Sequence, residues 1–172
     1  IDFDGIVGGT FDLGDVLINS AGDVTADLGF NANTIIQSAG TGDSQFDGAV
    51  VLEALGGMDI TTNTVTLNNT INTLTAGNGG TVTITNGGLL DISAAADMSL
   101  DGAFLQDGAG AVETAGDITT TNDNITFQSG VTLTDDGTVS LDSGGGLGTI
   151  AFNQTLNGDD VNFDDDLTLA AG

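Results

Sequence analysis

Gly80-Thr81-Val82-Thr83-Ile84 returns further along the chain as Gly137-Thr138-Val139-Ser140-Leu141. In both copies aliphatic side chains alternate with Thr or Ser, so one face of the segment is apolar and the other polar. That period of two is the mark of a half-buried strand. The same alternation runs through Val16-Leu17-Ile18, Thr64-Val65-Thr66-Leu67, Asn124-Ile125-Thr126-Phe127, Val131-Thr132-Leu133-Thr134 and Leu167-Thr168-Leu169. Clusters such as Gly77-Asn78-Gly79-Gly80, Asp135-Asp136-Gly137 and Gly144-Gly145-Gly146 separate these runs and supply the residues that tight turns favour. No stretch carries a helical period, and Ala94-Ala95-Ala96 is too short to form a helix. The sequence predicts an all-β chain.

The strands repeat. Asp59-Ile60-Thr61-Thr62 recurs as Asp117-Ile118-Thr119-Thr120, and Val65-Thr66-Leu67 is answered at a similar offset by Ile125-Thr126-Phe127. Residues 59–93 and 117–152 read as two copies of one unit, each worth about three coils of roughly 20 residues. A second echo, Phe followed by polar residues and then an aliphatic, starts at Phe3, Phe46, Phe127, Phe152 and Phe163, while Phe11, Phe30 and Phe104 stand outside it. The intervals from Phe3 to Phe46 and from Phe46 to Phe127 are near two and four coils. Phe163 follows Phe152 by only half a coil and is expected on another face.

A coil of two or three short strands cannot bury its apolar side alone, but stacked coils bury a continuous core. The expected fold is a parallel β-helix, or β-solenoid, with coils of about 20 residues. It is expected to run as one continuous segment over 1–172, with irregular coils over 1–58 and two related repeat units over 59–116 and 117–172, within a longer repeat array or filament. The expected core contains Val65, Leu67, Leu74, Val82, Ile84, Ile125, Phe127, Val131, Leu133, Val139, Leu141, Phe152, Phe163 and Leu167. The chain has no Pro, which suits a stack in which every coil needs its N–H groups for the ladder.

Charge is the sharpest compositional fact. The 172 residues include 25 acidic ones, all Asp except Glu53 and Glu113, and no Lys, Arg or His, so the net charge is −25. No side-chain salt bridge can form. The carboxylates must be screened by solvent cations, hold a metal, or meet a basic partner. Nucleic acid and anionic membrane are excluded as partners, because binding phosphate needs cationic side chains. With no Cys, disulfides and Cys-ligated metals are excluded too. No apolar run approaches the ~18 residues that span a bilayer. No charged n-region with an apolar h-region opens the stretch, so an export signal is expected outside it.

Gly116-Asp117-Ile118-Thr119-Thr120-Thr121-Asn122-Asp123-Asn124-Ile125-Thr126-Phe127, running on to Gly158, resembles the repeats of large secreted bacterial adhesins of the filamentous-haemagglutinin type. The family pattern is Asp-Ile-Thr-Phe, a Gly, Val-Thr-Leu-Thr and a Gly-rich turn, and the likeness covers residues 59–93 and 117–172 best. The resemblance implies a right-handed parallel β-helix, export to the cell surface, and a role in adhesion, aggregation or matrix. It assigns no functional residue here. The chain departs from the family in having no basic residue, which removes the means of binding heparin-like or other anionic glycans.

The densest carboxylate groups are Asp2/Asp4, Asp135/Asp136, Asp159/Asp160 and Asp164/Asp165/Asp166. Charge runs are usually solvated turns. The chemical alternative is calcium, which takes six to eight oxygens that paired Asp and turn carbonyls supply. Asp135, Asp136, Asp159, Asp160, Asp164, Asp165 and Asp166 are its candidate ligands; no other cofactor is called for. Neither a nonapeptide calcium repeat nor an EF-hand loop is present.

No catalytic residue is expected. Two carboxylates can hydrolyse a glycoside, but the Arg, Lys, His, Trp and Tyr that orient such substrates are all missing, and Ser and Thr have no His or Lys to activate them. The sequons at Asn68, Asn124 and Asn153 matter only in a glycosylating host. The expected role is a stiff structural or adhesive segment of an extracellular surface protein. A self-assembling fibre or sheath subunit is the alternative, and a polysaccharide-cleaving enzyme ranks last. Expected partners are further repeats or other copies end to end, with both ends open, and cell-surface or matrix components.

Overall fold

The computed structural model describes residues 1–53, 57–74, 79–134, 137–159 and 165–172. The alternating segments become short strands. They are β1 (Asp2–Phe3), β2 (Leu13–Ile18), β3 (Val24–Ala26), β4 (Phe30–Gln37), β5 (Asp43–Phe46), β6 (Val50–Leu52) and β7 (Met58–Thr62). Next come β8 (Thr64–Leu67), β9 (Ile71–Asn72), β10 (Val82–Asn86), β11 (Leu90–Ile92), β12 (Met98–Leu100), β13 (Phe104–Gln106) and β14 (Val112–Thr114). The last are β15 (Ile118–Thr120), β16 (Ile125–Phe127), β17 (Val131–Leu133), β18 (Thr138–Asp142), β19 (Ile150–Phe152), β20 (Leu156–Gly158) and β21 (Asp166–Ala170).

Every strand pairs in parallel with the strand one coil away, and the chain winds about seven turns with coils about 22 residues apart. Coil length varies: the step from Val112 to Val131 is among the shortest and that from Thr138 to Asp166 is the longest. The first face is the ladder β1-β3-β5-β8-β11-β14-β17-β20. The other two meet in β4: Phe30–Ala32 pair with β6 and Ile35–Gln37 pair with β7. From there the second face runs through β6, β9, β12, β15, β18 and β21, and the third through β7, β10, β13, β16 and β19. β2 lies along β4 across that bend. At ~4.8 Å per coil, the three faces wrap one elongated core.

Inside the prism like side chains stack on like. Val65, Leu90, Val112 and Val131 form one column and Met58, Val82, Phe104 and Ile125 another, all buried. Phe127 is stacked on Phe152 at 5.3 Å and tilted against Phe104 at 5.2 Å; Phe30 meets Phe3 and Phe46 edge to face. Phe30 and Phe104, which lie outside the sequence echo, are therefore core residues.

Of the expected core, Val65, Leu67, Val82, Ile84, Ile125, Phe127, Val131, Leu133, Val139 and Leu141 are buried, and Phe152 and Leu167 are partly buried against it. Phe163 lies outside the described residues. Leu74 is a correction: it is 41% exposed. In Ile71-Asn72-Thr73-Leu74 the inward positions are Ile71 and Thr73, both buried, so the alternation itself turns Leu74 outward.

The sequence echo also has a different geometry from the one its offset suggests. Asp59-Ile60-Thr61-Thr62 lies in β7 on the third face, whereas Ile118-Thr119-Thr120 forms β15 on the second. The Val82 and Val139 segments, β10 and β18, are split in the same way. In each case the echo advances the chain by two whole coils and then two further faces. The recurring unit is a strand with its turn, and its copies do not stack on one another.

Candidate functional site: carboxylates at the turns and a polar corner inside

Among the expected calcium ligands, Asp135, Asp136, Asp160 and Asp164 lie outside the described residues. Asp165 Oδ2 accepts a hydrogen bond from the Asp159 backbone N–H at 3.2 Å, and exposed Asp166 opens β21 by donating its N–H to Gly137 O. A turn hydrogen bond joins Asp159 to Asp165.

This use of Asp recurs along the rod. Asp23 accepts from the Asp43 N–H, Asp97 from the Asp117 N–H, Asp117 from the Ser140 N–H, and Asp142 from the Gly144 N–H. All but the last of these bonds step from one coil to the next. Each carboxylate satisfies a backbone amide, and charge-assisted bonds of this kind are stronger than neutral ones. Asp47 is held most completely, by Asn68 Nδ2 at 2.7 Å and Gln45 Nε2 at 2.8 Å, and those two hydrogen bonds lower its pKa.

Among the described residues, one group of carboxylates converges. Single ligand oxygens of Asp2, Asp4 and Asp27 lie within 4.8 Å of one another, and all three residues are exposed. The negative charge of Asp4 is the main cause of a raised pKa at Asp2, followed by desolvation and by Asp27. The sequence shows Asp2 beside Asp4; Asp27 joins them because the β1–β3 register sets Phe3 against Ala26. Three exposed oxygens fall short of the six to eight that calcium takes, so turn carbonyls or water would have to complete a shell.

The other polar concentration is buried, and sequence reasoning misses it because the alternation assigns polar side chains to the outside. At the corner between the third and first faces, Gln106 is sealed from solvent. Its Nε2 donates to Asn86 Oδ1 at 2.7 Å and to Gly108 O at 2.8 Å. Its Oε1 accepts from the Gln128 N–H, the Ser129 N–H and Ser129 Oγ. One amide thus joins successive coils on both sides of its own. Gly108 and Gly110 make room, since a Cβ on either would run into the backbone of Asn86 or Gly88. Gln37 holds the same ladder row earlier in the stack, below Ile60 and Ile84, and accepts from Ser44 Oγ at 2.8 Å. Its Nε2 has no partner among the described residues.

The fold and these two polar systems define a parallel β-solenoid repeat protein whose acidic residues brace its turns. Compared with protein families, curated proteins and solved structures, the chain matches none.

Proposed function

We propose that the chain is a structural or adhesive repeat segment of an extracellular surface protein, a stiff acidic rod that holds attachment or matrix functions away from the cell. The observation that carries this reading is the set of parallel ladders along three faces, closed around one apolar core. Axial hydrogen bonds in every coil resist bending and stretching. A surface with no basic side chain and a charge of −25 keeps neighbouring rods apart and favours cationic or polyhydroxyl contacts over phosphate. Export to the exterior and the absence of catalysis belong to the same proposal, and the missing His, Lys, Arg and Tyr support the latter.

Antibody against the folded segment should label intact cells, and deleting the segment should weaken attachment to surfaces. Labelling that requires permeabilised cells would sink the extracellular reading. Filaments grown from the purified segment alone, with no effect on attachment, would move the assignment to a fibre subunit.

A further inference from the structure

The sequence holds three Asn-Gly pairs, Asn78-Gly79, Asn86-Gly87 and Asn157-Gly158; Asn78 lies outside the described residues. Such a pair can modify itself. The glycine nitrogen attacks the asparagine Cγ, the bond from Cγ to the side-chain nitrogen breaks, and ammonia leaves with the displaced proton. The product is a five-membered succinimide. Water then opens either carbonyl of the ring and gives Asp or isoaspartate. Glycine permits this because no Cβ obstructs the approach of its nitrogen. The remaining requirement is that the asparagine amide be free to turn onto that nitrogen.

The two described pairs differ in that freedom. Asn86 is fully buried; its Nδ2 donates to Gly88 O at 2.7 Å and Ala111 O at 3.2 Å, and its Oδ1 accepts from Gln106. The Gly87 nitrogen is itself engaged with Thr62 O at 3.0 Å. Asn157 stands in β20, a strand exposed along its whole length, opposite Thr132 on the outward side of the first face. Its side chain makes no hydrogen bond among the described residues.

We propose that Asn157-Gly158 is a self-modification site of the folded chain, and that Asn86-Gly87 is preserved by its burial and hydrogen bonds. Conversion adds a carboxylate to a chain that has no cationic side chain to pair with it. Isoaspartate also inserts a methylene into the backbone of β20, which moves Gly158 out of register with Leu133 of β17.

The test is peptide mapping by mass spectrometry of the purified chain held at mildly alkaline pH, with fragmentation that separates Asp from isoaspartate. Asn157 should convert, and Asn86 should convert at least about tenfold more slowly, because its reaction must await local opening. Asn157→Gln, whose longer side chain cannot close a five-membered ring, should abolish the conversion. In denaturant the two sites should react at similar rates. Equal rates in the folded chain, or an Asn86 still inert when unfolded, would overturn the proposal.

Discussion

Residues 1–37 and residues 82–133 are built from the same alternating strands, yet only one of these regions is sealed. Ile1, Ile6, Phe11, Leu13, Leu17 and Leu28 are exposed in the first, whereas no large apolar side chain is exposed in the second. The strands from β10 to β17 each have a ladder neighbour on both sides, while β1 and β2 pair on one side only. Burial in a solenoid therefore depends on position in the stack at least as much as on residue type. Composition alone does not predict where a substitution hurts.

The largest contrast should come from the phenylalanines. Phe127 is fully buried between Phe104 and Phe152, so Phe127→Ala leaves a cavity that two rings cannot fill, at a cost of about 3–5 kcal/mol. Phe11 is 85% exposed, and Phe11→Ala should stay within about 0.5 kcal/mol. Denaturant midpoints of the two variants measure this. Comparable losses would show that the first coil is as tightly packed as the middle.

The two buried glutamines sharpen it at a smaller scale. Gln106→Leu strands Asn86 Oδ1 and the Ser129 N–H, at about 1–3 kcal/mol for each group left buried without a partner, while the Gln128 N–H keeps its bond to the Gln106 backbone carbonyl. Gln37→Leu removes one bond, to Ser44, together with a donor that has no partner among the described residues, so its net effect should lie within about 1 kcal/mol of zero. A double-mutant cycle of Gln106 with Ser129 should show coupling. If the Gln37 variant is the more damaging of the two, the reading of the polar corner is wrong.

Those glutamines also mark the limit of what the sequence discloses. The strands and their parallel order are legible because each strand must bury one side and show Thr, Ser or Asn on the other, as in Thr81-Val82-Thr83-Ile84. The coil period is not legible to the same degree. One strand design serves all three faces, so any offset of whole strands reads as a repeat, and the echo that links Ile60 to Ile118 joins different faces. Leu74 misleads because its aliphatic character outweighs its position after Thr73. Asp27 can be placed beside Asp2 and Asp4 only through the coil length. Gln106 and Asn86 are invisible as core residues, because a buried amide needs partners that come from other coils.

Ions should act most where carboxylates converge. With a charge of −25, melting should rise with salt as repulsion is screened, by roughly 2–4 °C if ~1 kcal/mol is recovered. Millimolar Ca²⁺ compared with chelator at fixed ionic strength should raise it further if Asp2, Asp4 and Asp27 hold an ion, and Asp27→Asn should remove that increment. In the body of the rod, where Asp97 and Asp117 each accept a backbone N–H, the same substitution should destabilise with or without calcium. A melting temperature indifferent to Ca²⁺ would count against a bound ion at the triad.

The smallest effect, and one that differs in sign between two carboxylates, is the response to acid. Asp2 has a raised pKa because Asp4 and Asp27 repel its negative charge. Its native form therefore holds a proton more tightly than the unfolded chain does. Stability should rise as pH falls through the folded pKa of Asp2 and level off below the ordinary carboxyl value of 3.8. Asp47 has a lowered pKa because Asn68 and Gln45 donate to its charged form. Its contribution is fully present above 3.8 and is lost as pH falls through the lower folded value. The pH profiles of Asp2→Asn and Asp47→Asn, each subtracted from that of the unaltered chain, should bend in opposite directions. The Asp2 difference should appear above pH 3.8 and the Asp47 difference below it. Both carboxyls are accessible to solvent, so water and salt screen them and the two differences should shrink together at high ionic strength. Profiles that bend the same way would mean that the carboxylates at the start of the rod do not repel one another.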